Sequence, residues 1–179
     1  MKTEMSATDA LLTRRSVRNF LNEPVSEEEL KAILRAGMFA PSAHNRRTWE
    51  FITVTKRAVL NELSVMSRYW GMLKEAPLCI VTCGYSLGIL PKDEEFLVQN
   101  SAAATENMLL MAHSLGLGAV WLGICRERPY YESVKELLKI PADVRVVSLM
   151  AVGRPKGELP ERAKPLERFE AQKWHRECY

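Results

Sequence analysis

Between Phe96 and Leu115 the chain carries one carboxylate, Glu106, and neither lysine nor arginine. Val98, Ala102, Thr105, Leu109 and Ala112 repeat at four-three spacing, with Ala104, Met108, Met111 and Leu115 as a second apolar row beside them. The spacing predicts a helix from about Glu94 to Leu115, stopped by Gly116. A helix apolar around so much of its circumference must be covered on most sides. It is either a central core helix or a subunit interface, and the alanines at 102 to 104 allow a close approach. The cover has to come from the rest of one chain or from a second copy. At 179 residues, length predicts a single domain, large enough to bury roughly 70% of its unfolded surface.

The covering elements are legible on both sides of that helix. Residues 6 to 13 form a short amphipathic helix. Ser26 and Glu29 make a capping-box pattern, and Leu30, Ile33, Leu34, Gly37 and Met38 then fall on one helical face until Pro41 ends the run. Trp49 to Thr55 is aromatic and β-branched and predicts a strand, followed by a helix from about Arg57 to Met66. Leu78 to Thr82 predicts a buried strand, and the glycine- and proline-marked segment from 84 to 93 a loop. A helix over Tyr131 to Leu138 and a strand over Val144 to Val152 complete the set. Helices and strands alternate irregularly, without the βαβα repeat of a doubly wound fold. The segment GLGAVWLG has its third glycine misplaced for a dinucleotide fingerprint, and it follows a helix instead of preceding one.

Charge concentrates in RRSVRNF, Arg14 to Phe20. Guanidinium forks bind phosphate bidentately, and a serine hydroxyl adds a donor. A short basic run is also a common solvated or nucleic-acid-binding patch, but a net charge of +3 is too small to make nucleic acid the main partner. Arg18 could alternatively pair with Glu23. About twenty residues on comes APSAHNRRTWEF.

Arg14, Ser16, Arg18 and Phe20, then Ala40, Pro41, Ser42, Asn45, Trp49 and Phe51, then GLGAVWLG and the terminal AVGRP together resemble the nitroreductase family of FMN-dependent oxidoreductases. The resemblance covers roughly Leu11 to Leu166. It departs at Arg47-Thr48, where the family pattern has Gln-Pro. The resemblance implies an α+β fold, with a central mixed sheet flanked by helices, in a domain-swapped homodimer with FMN at each interface. It implies ping-pong hydride transfer from NAD(P)H to an electron-poor small molecule, with the chemistry carried by the flavin and no catalytic side chain. Arg14, Arg15 and Ser16 would hold the phosphate, and Arg18 the pyrimidine edge as an electrostatic tuner. Pro41, Ser42, Ala43 and Asn45 would approach the flavin from the other subunit. Leu122 and Gly123 would run along it, although the same residues also read as a strand edge with a turn glycine. The tail from 160 to 179 would wrap the partner, with Arg162 or Lys164 reaching the phosphate; a solvated face fits those two equally well. A reductive dehalogenase, a flavin-degrading branch and a non-catalytic flavin carrier or sensor are the alternatives the same resemblance leaves.

No metal site is expected. Cys79 and Cys83 share one strand face about 13 Å apart, too far for a disulfide or a common metal, and Cys125 and Cys178 have no neighbours at ligand spacing. The absence of a signal-like or bilayer-length apolar run predicts a cytoplasmic protein without membrane contact.

Overall fold

The computed structural model describes residues 5–88, 93–157 and 169–179. Ser6 opens α1 (Ala7–Thr13) by accepting from the Asp9 amide. The capping box before α2 (Glu27–Met38) is complete: Ser26 N–H donates to Glu29 Oε2 at 3.0 Å and Glu29 N–H to Ser26 Oγ at 3.2 Å. Glu29 also takes a 2.7 Å ion pair from Arg154. Partial desolvation pushes its pKa up, but the Ser26 amide and Arg154 outweigh that and hold it below the ordinary value. The remaining elements are β1 (Trp49–Val54), α3 (Arg57–Met66), β2 (Leu78–Tyr85), α4 (Asp93–Ser114), β3 (Gly118–Gly123), α5 (Tyr130–Leu137) and β4 (Val144–Gly153), with short 3₁₀ turns at Ala43–Asn45, Gly71–Lys74 and Ala171–Lys173.

The four strands lie in the order β1-β2-β4-β3. Every pairing between them is antiparallel, so the mixed sheet expected from the sequence is corrected. Among the described residues the parallel component is a single bridge, Ser16 to Ala119, outside the named strands. The α+β class holds. The loop expected from residue 84 begins two residues later, because Gly84 and Tyr85 continue β2 opposite Trp49 and Val144.

The central strands are apolar on both faces because helices cover both. Leu78 and Ile80 of β2 and Met150 and Val152 of β4 pack with Ile33 of α2 and Met108, Leu109 and Ala112 of α4. Cys79, Val81, Leu149 and Ala151 pack on the other face with Leu60 and Leu63 of α3, Leu73 and Val134. Cys79 and Cys83 are free, and desolvation pushes both thiols up to about 12. Among the described residues there is no group of three metal-ligating side chains, and no helix long and apolar enough to cross a membrane.

α4 is a core helix on one side. Leu97, Ser101, Ala104, Thr105, Met108 and Ala112 are buried, while Ala102, Ala103 and Leu110 remain half-exposed. Thr105 therefore faces the sheet. Its hydroxyl lies 2.8 Å from the Ser101 carbonyl, 3.2 Å from Thr82 Oγ1 and 2.9 Å from Ser148 Oγ, all fully buried. An isosteric Thr105→Val change removes the common partner of two buried hydroxyls. Equilibrium urea unfolding should show a loss of about 1–3 kcal/mol at unchanged slope; an unaltered midpoint would mean that this cluster does not help to seat the helix.

Candidate functional site

The arginine stretch is an added strand on the outer edge of β3. Val17 N–H donates to Ala119 O at 3.0 Å, Leu21 N–H to Arg154 O at 2.9 Å and Lys156 N–H to Asn19 O at 3.0 Å. Phe20, 2% exposed, bridges Pro155. The first and last motifs of the sequence are thus paired to each other. Alternation along an extended chain turns Val17 toward the protein and leaves Ser16 and Arg18 exposed. Gly118 permits the approach, since a Cβ there would lie 2.7 Å from Val17 Cγ1.

The three guanidiniums differ in what they already hold. Arg14 Nε is 3.5 Å from Glu106 of α4. Arg15 Nη1 donates to the carbonyls of Leu12 and Arg14. Arg18 pairs with no carboxylate among the described residues, Glu23 included. It opens instead on a cavity of about 480 Å³ shared with Asn19, Arg68, Tyr69, Lys74 and Glu75. The floor of that cavity is fixed by Arg57, whose guanidinium donates to the carbonyls of Leu73, Lys74 and Ala76 at 2.8–3.0 Å. Arg68 stacks over the Tyr69 ring and bonds its hydroxyl. Neither Arg68 nor Arg57 stands out in sequence, because each is one arginine in an amphipathic context.

The second stretch is a loop in an unusual backbone conformation. His44, Asn45 and Arg47 all have positive φ, at 54°, 54° and 51°. Non-glycine residues in that region cost about 1–3 kcal/mol each unless their surroundings hold them, asparagine least. The holding groups come from α4. Asn100, 7% exposed, accepts from Ala43 N–H at 3.0 Å and donates to Thr48 Oγ1 at 3.4 Å, and Asp93 pairs with Arg46 at 3.1 Å. Inside the loop, Ser42 Oγ accepts from Arg47 N–H at 2.9 Å and Asn45 Oδ1 accepts from Arg47 Nε at 3.0 Å. Pro41 and Asn45 are exposed; Ser42 and Ala43 are half-buried. The signal for Asn100 was a polar Gln99-Asn100-Ser101 step inside a helix with few charges.

Within one chain the two stretches are apart. One lines β3 and the other feeds β1, the opposite edge of the sheet. Thr13, just before the arginines, bonds His113 near the end of α4, whereas the loop is tied to Asn100 near its start; at 1.5 Å per residue those two helix positions are about 20 Å apart. Leu122 is buried in the cluster facing α3 and α5, and Gly123 is exposed at the end of β3. Arg162 and Lys164 lie outside the described residues.

A family model described as the nitroreductase family matches residues 11–67 and 61–154. A protein of Archaeoglobus fulgidus named for NADH dehydrogenase and NAD(P)H nitroreductase activity is 39% identical over 168 residues, covering 93% of this chain and 95% of that one. The oxygen-insensitive NADPH nitroreductase of Salmonella typhimurium is 32% identical over 162 residues, covering 84% and 67%. Among solved structures, an FMN-dependent nitroreductase of Clostridium difficile superposes with a TM-score of 0.84 at 30% identity, covering 96% and 99%.

Seating of the arginine stretch on β3 depends on Gly118. A Gly118→Ala change forces the Val17 side chain and backbone away at a cost of about 1–3 kcal/mol. Limited trypsin digestion should then cut after Arg14, Arg15 and Arg18 faster than in the parent protein; unchanged cleavage would show that the strand accommodates the methyl group.

Proposed function

The chain belongs to the nitroreductase family, and from that premise we propose that it is an FMN-dependent oxidoreductase. It takes hydride from NADH or NADPH and passes it to an electron-poor small molecule such as a nitroaromatic or a quinone, donor and acceptor occupying the site in turn. The observation that carries this reading is the exposed row of Ser16 and Arg18 on a strand pinned at both ends, with Arg14 and Arg15 at its start.

The donor set fits FMN. A phosphate monoester needs several cationic or hydroxyl donors, and Arg14, Arg15 and Ser16 lie within three consecutive residues. Arg15 has already committed one nitrogen to backbone carbonyls, which fixes its direction and leaves its other N–H groups for the phosphate. Arg18, unpaired among the described residues and beside Arg68 and Lys74, supplies positive potential for the electron-rich pyrimidine edge. The flavin, when bound, supplies the two-electron chemistry, and the protein supplies binding, orientation and field. Asn45 keeps its amide NH₂ free of protein partners among the described residues, a donor suited to a ring acceptor.

Pro41, Ser42, Ala43 and Asn45 belong to the same site only if a second copy brings them. Their attachment to opposite edges of the sheet, β3 and β1, is the reason, and it supports a homodimer with the site at the interface. The surface available for it is apolar: a groove of about 970 Å³ between α1, α2 and α4 is lined by Leu11, Phe39, Leu110 and Met111, with Leu11 62% and Phe39 75% exposed. Within this reading the chain is one domain over residues 1–179. The enzyme works in the cytoplasm.

The purified protein should be yellow, release FMN in about equimolar amount, and sediment at twice the 20.4 kDa chain mass. FAD in its place, or a colourless protein that takes up no FMN, would refute the cofactor assignment; a stable monomer that retains FMN would refute the shared site. Replacing Arg18 with glutamine should leave FMN bound while lowering the two-electron potential by roughly 20 mV, the equivalent of about 1 kcal/mol for a solvent-exposed charge. Spectroelectrochemical titration of the two proteins gives the comparison, and identical potentials would place the tuning charge elsewhere.

A further inference from the structure

We propose that Arg47 is a specificity residue which recognises an anionic group, carboxylate or phosphate, on the molecule that docks against the flavin. This rests on the functional reading above, in which the loop of Ser42, Ala43 and Asn45 faces the cofactor.

Arg47 touches two of those residues directly. Its amide donates to Ser42 Oγ at 2.9 Å and its Nε to Asn45 Oδ1 at 3.0 Å, so its guanidinium starts from the border of the site. The backbone is committed as well, with φ at 51° between the bond to Ser42 and the buried Thr48. With Nε engaged, the two Nη groups form an end-on fork that has no protein partner among the described residues. A fork in that state matches the two oxygens of a carboxylate or phosphate.

The neighbouring arginine shows the contrast. Arg46 is paired with Asp93 at 3.1 Å with both side chains largely buried, so its charge is compensated and it anchors the loop. Arg47 is exposed and, among the described residues, compensated by no carboxylate. It therefore projects an unbalanced positive charge from the loop at a position where the pattern noted in the sequence has a neutral glutamine. Thr48, in place of proline, gives Asn100 an acceptor and so helps to hold the turn that presents Arg47. The anion can come from either molecule that visits the flavin: a carboxylate on the electron acceptor, or the 2′-phosphate that distinguishes NADPH from NADH.

The test uses holoenzyme of the parent and of the Arg47→Gln, Arg47→Glu and Arg47→Lys variants. KM is measured for 4-nitrobenzoate against nitrobenzene, and for NADPH against NADH. For one of the two pairs, Arg47→Gln should raise the anionic-to-neutral KM ratio roughly three- to tenfold. Arg47→Glu should raise it further, and Arg47→Lys, which keeps the charge but loses the fork, less. In the parent enzyme added salt should erode the preference. A shift confined to the acceptor pair assigns the anion to the acceptor; a shift confined to the nicotinamide pair assigns it to the 2′-phosphate. Ratios that stay within twofold of the parent in both Arg47→Gln and Arg47→Glu overturn the proposal while leaving the oxidoreductase reading intact. A parent protein that binds no FMN, or oxidises no nicotinamide with either acceptor, overturns that reading and the role of Arg47 with it.

Discussion

Burial of α4 is the constraint on which the rest of the structure depends. A helix with one carboxylate between Phe96 and Leu115 cannot face water broadly, and the antiparallel sheet, α2 and α1 are the surfaces that cover it. The buried hydroxyls of Thr82, Thr105 and Ser148, with the Ser101 carbonyl as a further acceptor, add direction to that burial. Apolar packing tolerates a helix rotating or sliding by a fraction of a residue. A buried hydroxyl left without its partner does not, because its desolvation is uncompensated.

Once α4 is fixed, it acts as the spacer of the site. Its beginning holds the strained loop through Asp93 and Asn100, its middle holds Arg14 through Glu106, and its end holds Thr13 through His113. The two stretches are each well anchored, on opposite edges of the sheet. The same geometry accounts for the half-exposed alanines on the outer side of the helix and for the apolar groove beside it. If a second copy completes the site, cofactor binding and association become a single linked equilibrium.

Much of this was legible in the residues. The capping box, the proline stop of α2, the glycine after α4 and the runs of β1 and β4 follow from local rules, and the helices, β1 and β4 begin and end within a residue of expectation, whereas β2 runs three residues further. Strand direction was not legible: a short strand carries no record of whether its neighbour runs with it or against it, and the mixed sheet expected from the family pattern gave way to an antiparallel one. The side of α4 that faces inward was ambiguous for a related reason. Two apolar rows satisfy the same periodicity, and the fold buries part of each: Thr105, Leu109 and Ala112 of one, Ala104 and Met108 of the other, with Ala102 and Met111 left half-exposed.

The sequence by itself determined the chemical vocabulary of the site: the run of guanidiniums and a hydroxyl, the prolyl loop, and a helix too apolar to stay uncovered. Those are properties of residue type and short-range order, and they hold in any fold. Tertiary structure alone decided which charges remain available. Arg14, Arg15, Arg18, Arg46 and Arg47 are alike in sequence, but folding gives Glu106 to Arg14, main-chain carbonyls to Arg15 and Asp93 to Arg46. Arg15, held by carbonyls alone, and Arg18 and Arg47 are left without a carboxylate among the described residues. A charge is neutralised by what lies within a few ångströms of it, and that neighbour is as often a hundred residues away as three.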